Sequence, residues 1–130
     1  STKIYTDKLQ TLNNNPWYQN FLNKTLLIVS QFKEALIRND YYTMKHMVKL
    51  YRELLAELEH HAGIVIESEP FKKMIQTAEK YGFISKTSGA GFGDCGFALL
   101  DSDKNKLDLF RDWEKEKLFP LEMKVWSYDE

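Results

Sequence analysis

Apolar residues recur at helical spacing through most of this chain. Over residues 16–38, Trp17, Phe21, Thr25, Ile28, Val29, Phe32 and Leu36 share one face, which predicts an amphipathic helix buried along a stripe. Asn15 before Pro16 supplies an N-cap and a first-turn proline, and residues 3–12 read as a shorter helix ahead of that turn. Asn39-Asp40 interrupts the pattern and caps a second long helix, in which Met44, Met47, Val48, Tyr51, Leu54, Leu55 and Leu58 repeat at three and four residues as far as Ala62. Gly63 is a natural stop, so two antiparallel helices joined by a tight turn are expected. Ser68 and Pro70 announce another helix with Phe71, Met74, Ile75 and Ala78 inward, ending at Gly82.

The pattern then shortens. Phe83–Thr87 reads as a strand, and the apolar run Phe97–Leu100 as a strand buried on both faces. Asp101–Asn105 is a polar turn able to cap a helix that presents Leu107, Phe110 and Trp113 and is broken by Pro120. Leu121–Val125 alternates strictly, the mark of a half-buried strand. Trp113, Trp126 and Tyr128 are expected in the core or at a domain interface. Helices first, then strand, strand, helix, strand predicts an α+β domain with antiparallel strands covered by helices on one side.

Composition narrows the partners. With 130 residues, 43% hydrophobic, the chain can bury one core. Eighteen basic against 19 acidic residues leave a net charge of −1, which gives no footprint for nucleic acid or an acidic membrane. The apolar run Leu26–Val29 is too short to span a bilayer, and no signal peptide is recognisable. The single Cys95 excludes an internal disulfide, suits a reducing, cytoplasmic setting and reads as a small residue opening a buried strand. His46, His60 and His61 are not spaced as metal ligands, and no metal site is expected.

Candidate chemistry concentrates in one place. Four of the six glycines lie between Gly89 and Gly96, in the run Lys86-Thr87-Ser88-Gly89-Ala90-Gly91-Phe92-Gly93-Asp94-Cys95-Gly96. Glycine lets backbone N–H groups converge on an anion, because no Cβ blocks the approach and positive φ is allowed. Gly89, Ala90, Gly91 and Gly93 are therefore candidate phosphate-holding positions. The Ser88 hydroxyl can donate to phosphate or bond the loop backbone. Asp94 would be repelled by phosphate and is expected to bond loop N–H groups and fix the turn. Lys86 is either a phosphate partner or an exposed strand lysine.

The run Ser88-Gly89-Ala90-Gly91-Phe92-Gly93-Asp94-Cys95-Gly96, preceded by Lys86-Thr87 and followed by Phe97-Ala98-Leu99-Leu100, resembles the third conserved motif of the GHMP kinases. Within that family Asp94-Cys95-Gly96 is most similar to the bacterial phosphomevalonate kinases. Phe92 departs from the pattern, standing where the family usually has glycine; it is strained if the position needs positive φ, and otherwise shapes the substrate side of the loop. Ser1-Thr2 resembles a hydroxyl pair near the substrate phosphate at the start of this domain.

The resemblance implies a ferredoxin-like antiparallel sheet with a long N-terminal helical hairpin, and that residues 1–130 form the C-terminal domain of a larger two-domain kinase. The family's main ATP loop, catalytic aspartate and active-site lysine lie upstream. No P-x-x-x-G-L-G-S-S or Walker A pattern occurs here, so no catalytic residue is expected within the chain. The parent would transfer the γ-phosphoryl of ATP to 5-phosphomevalonate in isoprenoid synthesis, with ATP and Mg²⁺ held mainly by its own N-terminal domain. In that setting the loop Ser88–Gly93 contacts phosphate, with Ser1, Thr2 and Lys86 as possible substrate contacts. The chain alone is expected to be inactive and able to form a homodimer through the surface that faces the other domain. The alternatives are another GHMP kinase, mevalonate kinase-like, or a non-catalytic anion-binding α+β module.

Overall fold

The computed structural model describes residues 2–88 and 95–124. The expected helices are present: α1 Thr2–Gln10, α2 Pro16–Ile37, α3 Tyr41–Ala62, α4 Glu69–Lys80 and α5 Lys106–Lys115. Two strands, β1 Ile84–Thr87 and β2 Gly96–Leu99, pair antiparallel with Thr87 opposite Gly96 and Lys86 opposite Phe97. The architecture is the expected α+β class.

Local signals set the helix ends. The Asn15 side chain accepts a hydrogen bond from the Trp17 N–H at 2.8 Å, and Asp40 accepts from the Thr43 N–H at 3.1 Å, which satisfies first-turn donors that have no partner within the helix. Between those helices Asn39 takes a positive φ of 56°, and the Asp40 N–H returns to the Ala35 carbonyl at 2.8 Å. Gly63 (φ 66°) stops α3 and Gly82 (φ 83°) follows α4, both in a region open to glycine at little cost. α5 stops before Pro120, as Lys117 turns to φ 62° and the Leu118 N–H bonds the Trp113 carbonyl at 2.9 Å.

Two apolar clusters form the interior. One joins α2 and α3 through Phe21, Ile28, Met47, Leu54, Leu55 and Leu58, closed at one end by Leu12, Ile64 and Ile66. The other joins α4, the sheet and α5 through Phe71, Met74, Ile75, Ala78, Phe83, Leu109 and Trp113. The Trp113 indole N–H donates to the Met74 carbonyl at 3.1 Å, a buried bond tying α5 to α4. Arg52 of α3 reaches Glu67 at 2.9 Å and Glu79 of α4 at 3.1 Å, linking the two halves at the surface.

Several expectations are corrected. Val29 is 52% exposed although it lies near the inward stripe of α2, because α3 covers the line through Phe21, Thr25, Ile28 and Ala35 instead. On α5 the buried line is Leu109 and Trp113, spaced four apart, and Leu107 faces solvent. Residues 121–124 form no strand, and Leu121 and Met123 are 83% and 82% exposed; alternation makes a strand only where a ladder partner is available. Val125, Trp126 and Tyr128 lie outside the described residues.

The sheet is also covered differently. β1, with the polar sequence Ile-Ser-Lys-Thr, is the deeply buried strand, whereas apolar β2 is half-buried throughout. Helices cover both faces of β1, with α4 on one and α3 on the other. Among the described residues the two strands pair only with each other.

Gly96 is where the α4 face comes closest. A Cβ there would lie 2.3 Å from Met74 Cε, 2.6 Å from Met74 Sδ and 3.0 Å from the Lys86 carbonyl oxygen. Gly96→Ala is therefore expected to destabilise the protein by about 1–3 kcal/mol, as overpacking does. Urea unfolding checks this through a lower midpoint at unchanged slope. A midpoint equal to wild type would mean that Met74 moves aside freely.

Candidate functional site

The glycine loop stands on a built base. Thr87 and Gly96 are opposite one another in the ladder, and one step further the Ser88 N–H donates to the Cys95 carbonyl at 3.0 Å. These bonds hold the two ends of the loop together. The reading of this segment as a strand-to-strand connection is thus correct. Ser88 is exposed at its mouth. Cys95 is exposed rather than buried, because it precedes β2 instead of lying in it. Gly89, Ala90, Gly91, Phe92, Gly93 and Asp94, the candidate phosphate and turn-fixing positions, lie outside the described residues, as does Ser1. Thr2 is the first residue of α1.

The incoming strand is fixed from both faces. Residues directly opposite in an antiparallel pair point to the same side. The Gly96 contact with Met74 therefore puts Gly96 and Thr87 on the α4 side, and Lys86 and Phe97 face α3. Ser85 Oγ donates to the Phe97 carbonyl at 2.8 Å. Among the described residues no buried side-chain polar atom lacks a partner, so the polar strand is accommodated without unmet hydrogen bonds.

Lys86 is the unexpected member. It is not an exposed strand lysine: only 6% of it is accessible. Its ammonium donates to the Thr87 carbonyl, lies 4.7 Å from the centre of the Tyr51 ring and 5.7 Å from that of Phe97. Attraction to the ring faces offsets part of the lost hydration. Burial still pushes its pKa below the ordinary lysine value, and the Glu67 carboxylate opposes that shift. Burial likewise pushes the Tyr51 phenol up. Sequence reasoning missed this arrangement because Lys86 meets Tyr51 only when α3 lies across the sheet. The signal available was the position of Lys86 inside a strand, on the opposite face from Ser85 and Thr87.

Beside Lys86 a pocket of about 160 Å³ opens between α2, α3 and the sheet, lined by Ile28, Val29, Phe32, Met47, Val48, Tyr51, Lys86 and Phe97. The histidines lie elsewhere: His61 stacks on Trp17 with ring centres 3.9 Å apart and touches His60 edge-on. Among the described residues no group of three or more histidine, cysteine or acidic side chains could hold a metal ion. No helix there is long and apolar enough to cross a membrane.

Comparison with known proteins agrees with this geometry. A family model described as GHMP kinases C terminal matches residues 32–118, which include the helical hairpin from Phe32, both strands and α5. A phosphomevalonate kinase from Streptomyces sp. (strain CL190) is 32% identical over 106 residues, 80% of this chain and 28% of that protein. The crystal structure of a Lin0012 protein from Listeria innocua superposes with a TM-score of 0.79 at 31% identity, over 88% of this chain and 33% of that one. The chain thus spans a third or less of the length of each of these relatives.

The burial of Lys86 has a pH signature. In the unfolded chain the amine keeps its proton up to the ordinary value of 10.5, and in the folded protein it releases it at lower pH. Between those values the unfolded state holds more protons, so the Lys86 contribution to stability rises with pH. Relative to wild type, Lys86→Met is therefore expected to look best at neutral pH and to lose ground as pH approaches 10.5. Tyr51 is present in both proteins and cancels to first order. Urea titrations of the pair at pH 7 and pH 10 measure the difference; one that is constant or moves the other way refutes a desolvated ammonium.

Proposed function

This chain belongs to the GHMP kinase family as its C-terminal domain, and on that premise we propose that it forms the loop-bearing part of a kinase that phosphorylates 5-phosphomevalonate. The observation that carries this reading is the Ser88-to-Gly96 run on a hydrogen-bonded strand pair, together with likeness to a phosphomevalonate kinase over most of this chain.

In the proposed reaction a phosphate oxygen of 5-phosphomevalonate attacks the γ-phosphorus of ATP, the bond to the bridging β-phosphate oxygen breaks, and ADP and 5-diphosphomevalonate form. Mg²⁺ supplied with ATP neutralises charge on the transferring group. The role of this chain is electrostatic and positional. The N–H groups of Gly89, Ala90, Gly91 and Gly93 offer fixed dipoles to phosphoryl oxygens, where preorganised donors are most useful. Ser88, at the mouth, adds a hydroxyl, and Asp94 fixes the turn. On this reading Phe92 would shape the substrate side of the loop, and Ser1 and Thr2 would contact the substrate. The nucleotide, the catalytic aspartate and the lysine belong to an N-terminal domain outside this chain, with the whole enzyme working in the cytoplasm. The exposed apolar residues Leu22 and Leu26 on α2 support a covered interface, with that domain or with a second copy of this chain.

The test is ATP-dependent ADP release by the full-length protein with 5-phosphomevalonate or mevalonate. Turnover with the first and little with the second is expected, and none from residues 1–130 alone. A preference for mevalonate moves the assignment to another GHMP kinase, and turnover by the isolated chain refutes the division of labour. In the full-length enzyme Ser88→Ala is expected to lower kcat/KM about 10- to 100-fold, since a hydrogen bond to a charged group contributes about 1.5–3 kcal/mol. An unchanged value assigns that hydroxyl to the loop backbone.

A further inference from the structure

We propose that the pocket between α2, α3 and the sheet binds a small anion carrying a hydrocarbon body of about five or six carbons, with Lys86 as its counter-charge. The proposal stands on this pocket and is independent of the kinase reading.

Size and lining define the body of the ligand. The volume is about 160 Å³, comparable with an apolar cavity of about 150 Å³ that accommodates benzene. Ile28 and Phe32 of α2 and Met47 and Val48 of α3 line it, and among the described residues no acidic side chain does. Val29, half exposed, stands at its mouth.

Charge defines the head. An ammonium has three protons to donate, and the Thr87 carbonyl accepts from Lys86. The Tyr51 ring offers only its face. Glu67, the acidic group whose field reaches Lys86, already accepts from the Arg52 guanidinium at 2.9 and 3.2 Å. A buried cation without a carboxylate partner is costly, and pairing it with an anion relieves that cost. A neutral ligand of the same shape leaves the ammonium as it is, and a cationic one is repelled. Carboxylate and phosphate monoester heads share the required chemistry.

Hexanoate, hexyl phosphate, hexanol and hexylamine, titrated into the protein at neutral pH, form the test. NMR of the Lys86 side-chain methylene next to nitrogen reports the head, and Tyr51 ring signals report the body. At least one of the two anions is expected to bind tenfold or more tightly than hexanol, shifting both sets of signals, and hexylamine is expected not to bind. Lys86→Met should bring the anions down to the affinity of hexanol. Val29→Trp, a change at the exposed mouth that leaves the core intact, should block both anions. Equal affinity for hexanol and both anions, anion binding that leaves the Lys86 signals unmoved, or binding unaffected by Val29→Trp overturns the proposal, as does no anion binding at all.

Discussion

The burial of β1 between two helical layers is the constraint on which the rest depends. Ser85, Lys86 and Thr87 are all inside, so a short polar strand occupies ground normally given to apolar residues. That is tolerable only if each polar group finds a partner, since an unmet buried donor or acceptor costs about 1–3 kcal/mol. The ladder to β2, the Ser85 bond to the Phe97 carbonyl and the Lys86 bond to the Thr87 carbonyl supply those partners. A strand fixed from both faces is a rigid support, and the glycine loop leaves directly from its end. For chemistry that relies on preorganised N–H dipoles, a rigid base beneath a permissive loop is the useful combination.

The two apolar clusters meet at this strand. α3 brings the helical hairpin to one face of β1, and α4 brings the α4–α5 cluster to the other. Because hydrophobic burial is non-directional, the clusters alone do not set how the layers are oriented. Specific contacts add that information: Arg52 spans Glu67 and Glu79, Trp113 bonds the Met74 carbonyl, and the Tyr81 hydroxyl donates to Asp112. The Tyr81 contact, with Lys80 at 3.4 Å, holds the Asp112 carboxyl below its ordinary pKa. At the surface such pairs contribute little individually, and their value lies in fixing the relative placement of α4 and α5.

Membership of the GHMP kinase family fits this construction. The matched region, residues 32–118, runs from the second half of α2 past α5 and includes every element that supports the loop. Lys86 sits two residues before Ser88, which opens the loop, yet its ammonium points away from the α4 side, toward Tyr51. Its influence on the loop therefore runs through the Thr87 carbonyl and the strand, and the residue also lines the apolar pocket.

The sequence by itself determined the elements with strong local causes. The 3.6-residue periods of α2, α3 and α4, the Asn15 and Asp40 caps and the glycine stops at 63 and 82 act within a few residues, so they are legible without any fold. The Ser88–Gly96 run stands out as a candidate anion loop because clustered glycines are a local feature, and its expected place between two paired strands is met. Tertiary structure alone decided what depends on which surfaces meet. Of the strand expected at Leu121–Val125, residues 121–124 form no ladder, the apolar β2 is only half-buried, and the polar β1 is the strand enclosed by two helices. Lys86 follows from the same cause. A lysine in a short strand carries no local mark of burial, and its environment exists only because α3 crosses the sheet and sets the Tyr51 ring beneath its ammonium.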